Sequence, residues 1–247
     1  MSISKITGIV IKEVNLKESD KIITIFSNEI GKVQLYAKRA REIKSPFLAG
    51  TQLLTHASFI YTAKNNINFL NQVNITCGFE KIRFDIEKIY YAMYFLEFLD
   101  KTVELESPHE DMFNFLVEIL NRLNNESDNP KLMRVVYELK MLALLGYTPE
   151  ITKCIRCESE VSGENYYFSF EDCGLVCEQC LGRSDRVMKL NKASLYAMQY
   201  ILYIDIDKVF SFELSLIILN DIREVVGKLV KINMGQNFRT LDFLDKV

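Results

Sequence analysis

Residues 6–40 read ITGIVIKEVNLKESDKIITIFSNEIGKVQLYAKRA, and the spacing of apolar side chains in this stretch decides the fold of the first third of the chain. Ile6, Gly8 and Val10 alternate with Thr7, Ile9 and Ile11, and short apolar runs, IITIF and VQLYA, follow after breaks. Side chains on a strand point to opposite faces in turn, so a period of two, or a brief apolar run between turns, reads as strand. The breaks at 17–21 (KESDK) and 28–32 (NEIGK) supply the charged, Asn and Gly residues that turns favour, and 38–50 and 64–66 repeat the signal. Five strands are expected, at about 4–14, 21–27, 32–37, 52–62 and 67–76. Strands so short and close in sequence avoid exposed edges best by closing into a small barrel. An OB-fold is the leading expectation, and an SH3-like barrel is the alternative that periodicity leaves open.

Beyond Gly78 the period changes to 3.6. Ile82, Ile86, Ile89, Met93, Leu96 and Leu99 share one helical face, thickened by Tyr90, Tyr91, Tyr94, Phe95 and Phe98, which predicts a core helix with little surface in water. A second helix is expected behind Ser107-Pro108 to about Leu123, a third from Asn129-Pro130 to Gly146, and two more over 191–203 and 211–234. The tail ends in a small apolar anchor, LDFL. The sequence therefore predicts a two-domain α+β protein: a barrel over 1–80, then an all-helical domain over 81–247 that carries one cysteine-bearing insert at about 150–182. Hydrophobic residues make up 49% of the 247 and charged residues 26%, with 4 Pro and 10 Gly, a balance that excludes disorder or a collagen-like polymer. The opening MSISKITGIVIKEVN soon carries Lys12 and Glu13, which neither a signal peptide nor a membrane span tolerates, so a cytoplasmic chain with no membrane partner is expected.

The insert places CIRC at 154–157 and CEQC at 177–180. Two C-x-x-C pairs at about this interval let two knuckle turns present four thiolates to one tetrahedral Zn²⁺. Cys154, Cys157, Cys177 and Cys180 are the expected ligands. A full shell of four sulfurs leaves no position for water, so one structural zinc per chain is expected rather than a catalytic one. Cys173 stands four residues before Cys177 and is a rival for its place; the knuckle geometry favours Cys177, with Cys173 opening the turn that leads into it. The YYFSF segment between the pairs reads as a short strand, and Cys77 as a small buried hydrophobe.

Formal net charge is −3, which excludes a wholly cationic binder, but the charge is unevenly placed. Residues 1–80 carry 10 Lys and Arg against 6 Asp and Glu, whereas the remainder carries 20 against 27. Lys38, Arg39, Arg41 and Lys44 crowd into AKRAREIKSPF, the connection between the third and fourth strands, where an OB-fold lines its groove for nucleic acid. A charge run in a long loop is also an ordinary solvated surface, and the flanking Tyr36 and Phe47 suit stacking or core equally. The two histidines, His56 and His109, have no catalytic companions in sequence. G-x-x-x-x-G-K-[ST], H-E-x-x-H, G-x-S-x-G and G-x-G-x-x-G are all missing, so no enzymatic activity is expected.

Taken together, GIVIKEVNLKESDKIITIFSNEIGKVQLYAKRAREIKS at 8–45, MLALLGYTPEITKCIRC at 141–157 and FSFEDCGLVCEQC at 168–180 resemble the bacterial recombination mediator family RecO over essentially the whole chain. The resemblance implies binding of single- and double-stranded DNA, annealing of complementary strands, association with RecR, contact with the C-terminal tail of single-stranded-DNA-binding protein, and assistance in loading RecA. It carries the DNA role to Lys38, Arg39, Arg41 and Lys44 and the zinc role to the four cysteines. Glu42 departs from the family pattern and weakens the local positive field, and Cys173 departs where a glycine or polar residue is common. The rival readings are an RNA- or ribosome-associated binder, a protein-only scaffold whose basic loop meets an acidic partner, and a zinc hydrolase.

Overall fold

The computed structural model describes residues 2–125, 129–161, 165–183, 185–206 and 208–244. Residues 1 and 245–247 of the two expected domains, and 162–164 of the expected insert, lie outside that set. Two compact units are present, one made of 1–126 with 238–247 and the other of 127–237.

In the first unit β1 (Ser2–Leu16), β2 (Asp20–Ser27), β3 (Gly31–Ala37), β4 (His56–Lys64) and β5 (Ile67–Cys77) close a barrel in the order β1-β2-β3-β5-β4. Every pairing is antiparallel except β3 with β5, which meet at Tyr36 and Phe69. This is the OB-fold order, so the SH3-like alternative falls. β1 serves two partners, pairing with β4 over its first half and with β2 over its second, and a bulge between Val10 and Lys12 bends it at the change. Gly8 pairs on both sides there, and a Cβ on it would lie 2.5 Å from the Phe26 carbonyl oxygen. Ile6, Val10, Ile23, Ile25, Val33, Leu35, Ala57 and Phe59 fill the barrel. Each large side chain so buried contributes about 1.5–3 kcal/mol.

The fourth strand starts at His56 rather than the expected 52, because residues 38–55 form a run of turns closed by local backbone hydrogen bonds, among them Ser45 N to Glu42 O at 2.9 Å and Thr51 N to Phe47 O at 3.0 Å. The single helix expected after Gly78 is two. α1 (Glu80–Arg83) ends at Phe84, and Asp85 opens α2 (Ile86–Thr102) by accepting the amides of Glu87 and Lys88. Ile86, assigned to the apolar face by its spacing, is 76% exposed at that new start. α3 (Glu110–Asn124) begins just after Pro108. The chain returns to this unit at α7 (Arg239–Leu244), where Phe238 stacks on Phe98 at 5.2 Å.

The second unit is built around α4 (Pro130–Leu144), in which residues 132–142 are all buried. Such a helix must neutralise its own charges: Arg134 pairs with Glu138 at 2.9 Å, and Lys140 donates to the carbonyls of Leu202 and Ile204, at 3.1 and 2.6 Å, at the end of α5 (Lys192–Tyr203). α6 (Leu216–Met234) starts five residues later than expected, since Ser215 supplies the cap through its hydroxyl. The insert is a sheet of β6 (Glu150–Cys154), β7 (Tyr166–Ser169), β8 (Gly174–Val176) and β9 (Val187–Leu190) in the order β6-β8-β7-β9, and it runs past the expected 182. Gln199 of α5 donates to Ile151 O at 2.6 Å and fastens this sheet to the helices. No helix among the described residues is long and apolar enough to cross a membrane.

Candidate metal centre and nucleic-acid interface

Cys154 ends β6 and Cys177 follows β8, and the parallel pairing of those two strands brings the two C-x-x-C turns together. One sulfur from each of Cys154, Cys157, Cys177 and Cys180 lies within 4.8 Å of the others, and the Cys157 and Cys177 sulfurs are 3.7 Å apart. Sulfurs around a tetrahedral ion with bonds of about 2.3 Å sit about 3.8 Å from one another, so four close cysteines here can hold a metal ion. The electrostatics agree. Burial opposes ionisation of Cys154, but the amides of Cys177, Cys157 and Arg156 point at its sulfur and bring the thiol down to about 6. Cys180 is pushed up to about 12 by hydrogen bonding with Cys157 and Cys177. Four thiolates at this spacing repel, and a divalent cation among them removes the conflict.

Cys173 lies outside this cluster. Its backbone is left-handed, with φ at 54°, its carbonyl accepts the Glu150 amide at 3.0 Å, and burial raises its thiol. It shapes the turn into the knuckle instead of competing for it. Arg156, inside CIRC, escaped the sequence reading. Its guanidinium donates to Asp185 at 2.5 Å, to Asp172 at 2.7 Å and to the Cys180 carbonyl at 2.8 Å, joining both knuckles and the segment after them. Only the position of an arginine between the first two cysteines hinted at this, since its partners are 16 and 29 residues away.

The four cations of the basic loop, Lys38, Arg39, Arg41 and Lys44, are all exposed. Ala40 between them is fully buried and belongs to the barrel core, and Phe47 packs on the same core. The loop is thereby rooted at both ends while its cations face water. Arg39 forms an ion pair with Glu42 at 2.6 Å, which holds its guanidinium pKa above the ordinary value. Ile43 is 92% exposed beside Lys44. Tyr36 crosses the ring of Phe69 edge-on at 5.5 Å and gives its hydroxyl to Asp20, so it is a wall of the barrel with a polar tip. His56 is half-buried, its Nε2 has no hydrogen-bond partner among the described residues, it meets Phe113 edge-on at 6.1 Å, and burial lowers its pKa. His109 Nε2 lies 3.1 Å from the Ser107 hydroxyl.

Residues 1–79 match the family model described as Recombination protein O N terminal, and residues 83–242 match Recombination protein O C terminal. The chain belongs to the RecO family. It is 33% identical over 244 residues to a DNA repair protein RecO of Acetivibrio thermocellus, covering 99% of this chain and 97% of that one. A DNA repair protein RecO of Caldicellulosiruptor saccharolyticus is 30% identical, with 98% of each chain covered. One from Listeria monocytogenes serotype 4b is 33% identical over 81% of this chain and 78% of its own. Membership of RecO agrees with the resemblance carried by the opening strands and the two cysteine pairs.

Proposed function

We propose that this chain is a non-enzymatic, cytoplasmic recombination mediator in DNA repair that works at the bacterial nucleoid. It binds single- and double-stranded DNA through Lys38, Arg39, Arg41 and Lys44 and anneals complementary strands. With RecR it helps load RecA onto DNA coated by single-stranded-DNA-binding protein, whose C-terminal tail it contacts. The four thiolates hold one structural Zn²⁺, which when bound closes the insert and performs no chemistry.

The observation that carries the DNA reading is the basic loop itself: four exposed cations within seven residues, standing on a barrel through buried Ala40. Annealing requires that phosphate repulsion between two strands be screened while the bases stay free to pair, and fixed cations do this by displacing counterions. Guanidinium groups suit the task because their planar fork takes two phosphate oxygens at once. Arg39 must exchange Glu42 for phosphate, a modest cost for a pair so exposed.

The test is replacement of Lys38, Arg39, Arg41 and Lys44 by Glu, followed by titration with a single-stranded oligonucleotide across a salt series and by a strand-annealing assay with and without single-stranded-DNA-binding protein. Four phosphates neutralised on a single strand give a log–log salt slope of about −3, which the variant loses along with annealing. Unchanged affinity in the variant moves the site elsewhere. A strong preference for RNA of equal length, or no binding of either at low salt, favours a ribosome-associated binder or a protein-only scaffold.

A further inference from the structure

The basic loop does not hang free from the end of β3; it is tied back to the turn between β1 and β2. Asp20, first residue of β2, is only 7% exposed although it is a carboxylate at the mouth of a cationic surface. One of its oxygens accepts the Arg39 amide at 2.7 Å, and the other accepts the Tyr36 hydroxyl. Arg41 completes the attachment, its amide donating to Ser19 O at 2.9 Å and its guanidinium to Glu18 O at 3.1 Å. Arg39 has φ at 55°, a left-handed backbone that an arginine seldom adopts and that persists only where its surroundings impose it. The Arg39 amide, followed by the Tyr36 hydroxyl, holds the Asp20 carboxyl below the usual aspartate range, so it is ionised when it grips the loop.

We infer that Asp20 is a positioning residue for nucleic acid: its carboxylate, clamping the Arg39 amide and the Tyr36 hydroxyl, imposes the left-handed kink that turns Arg39 and Arg41 outward on either side of buried Ala40. This deepens the DNA-binding reading of the loop and rests on it. A clamp of this kind lowers the cost of binding, because a loop already ordered in its competent shape surrenders less entropy when phosphate arrives. The same carboxylate is a negative charge near Lys17 and Lys38, so simple electrostatics and positioning make opposite forecasts for its removal.

The experiment compares Asp20→Ala and Asp20→Asn with the parent chain in single-stranded oligonucleotide titrations over a salt series, with thermal melts to establish folding. Asp20→Ala removes the acceptor and the charge; Asp20→Asn removes the charge and keeps an oxygen for the Arg39 amide. Positioning predicts that Asp20→Ala weakens binding about tenfold and flattens the salt slope, as expected when a charge-assisted bond that holds the competent conformer is lost. Asp20→Asn then stays within about twofold of the parent or binds more tightly, since the fixed geometry survives with one repulsive charge fewer. Equal tightening in both variants, or no change in Asp20→Ala, overturns the inference. If Asp20→Ala does not fold, Tyr36→Phe decides: it takes one partner from the carboxylate, and a loss of about two- to fivefold supports the clamp whereas unchanged or tighter binding sinks it. The Glu replacements of the four cations separate the two claims. Should they leave affinity intact, the loop is not the DNA site; should they abolish it while Asp20→Ala does nothing, the loop binds without the clamp.

Discussion

At the scale of single residues, close approach of two backbones is the most demanding feature of the first unit. Gly31, the first residue of β3, has φ at +71°, and a Cβ placed on it would stand 1.9 Å from the Ser107 carbonyl oxygen. That contact lets the segment before α3 lie against the barrel, where Glu106 N donates to Lys32 O at 2.9 Å and Lys32 Nζ reaches the Asp100 carbonyl at 2.6 Å. Gly31→Ala meets both the left-handed penalty and a collision with backbone that cannot swing aside. A loss of about 2–4 kcal/mol is expected, read as a lower urea midpoint with little change in the slope of the transition. A native-like midpoint would mean that the 104–107 segment gives way easily and does not brace the barrel. Arg156 shows the same dependence on place: its residue type is unremarkable in sequence, and only the fold brings two aspartates and a carbonyl to it.

Among the elements, α7 is too short to be stable alone and is held by what it docks on. Glu97 of α2 accepts the amides of Arg239 and Thr240, both at 3.0 Å, and the Thr240 hydroxyl at 2.6 Å, so a carboxylate from another helix caps this one, and Phe238 adds its stack on Phe98. Burial raises the Glu97 pKa, but Lys101, the Thr240 hydroxyl and amide and the Arg239 amide outweigh it and leave the carboxyl at about 2, against 4.5 ordinarily. A depressed acid stabilises the native state above its unfolded pKa and loses that contribution as pH falls through the folded one. The docking of α7 should therefore loosen between about pH 4.5 and about pH 2. Hydrogen exchange of the 239–244 amides checks this, and Glu97→Gln should speed that exchange at pH 7, cost about 1–2 kcal/mol and remove the pH dependence in that window. Exchange that is as slow in the variant would assign the docking of α7 to aromatic contacts, Phe238 on Phe98 and Phe243 on Tyr90. The sequence shows LDFL as an apolar anchor, but Glu97 lies 142 residues from Arg239 and no local pattern reports such a cap. Periodicity reveals each barrel strand within a few residues, because alternation is a local property. It misplaces the start of β4, because TQLLT at 51–55 is apolar enough for a strand and is in fact knitted into turns, Thr55 N reaching Gln52 O at 3.2 Å. It misses the break before α2 because Asp85 interrupts an apolar stripe that carries on beyond it, and a cap announces itself only when its hydrogen bonds are seen.

For the whole molecule, the two features with chemistry reside in different compact units: the cationic loop within 1–126 and the four thiols within 127–237. The cysteine set was legible because ligand spacing is itself local, two residues between each pair and a strand turn between pairs. The cations were legible as a cluster, but not the burial of Ala40 or the grip of Asp20, both of which depend on strands distant in sequence. If the metal closes the insert and the loop takes the DNA, removing the metal should separate the two functions. Binding free energies of about 10–16 kcal/mol for structural zinc sites far exceed what a four-stranded sheet of three to five residues per strand can supply, so the apo insert should open. Opening frees Gln199 from Ile151 O and deprives α5 of that attachment, so the disturbance should reach the helices of the second unit. Treating the full chain with a strong chelator should release one Zn²⁺ and quicken amide exchange over 150–190. Affinity for a single-stranded oligonucleotide at fixed salt should change by less than about twofold, because the bonds that hold the loop, from the Arg39 amide to Asp20 and from the Arg41 amide to Ser19 O, lie within the first unit. Zinc release is followed with a colorimetric dye and exchange by mass spectrometry on the same sample. Loss of DNA binding with unaltered exchange across the barrel would place the metal at the DNA surface and give Cys154, Cys157, Cys177 and Cys180 a direct part in recognition.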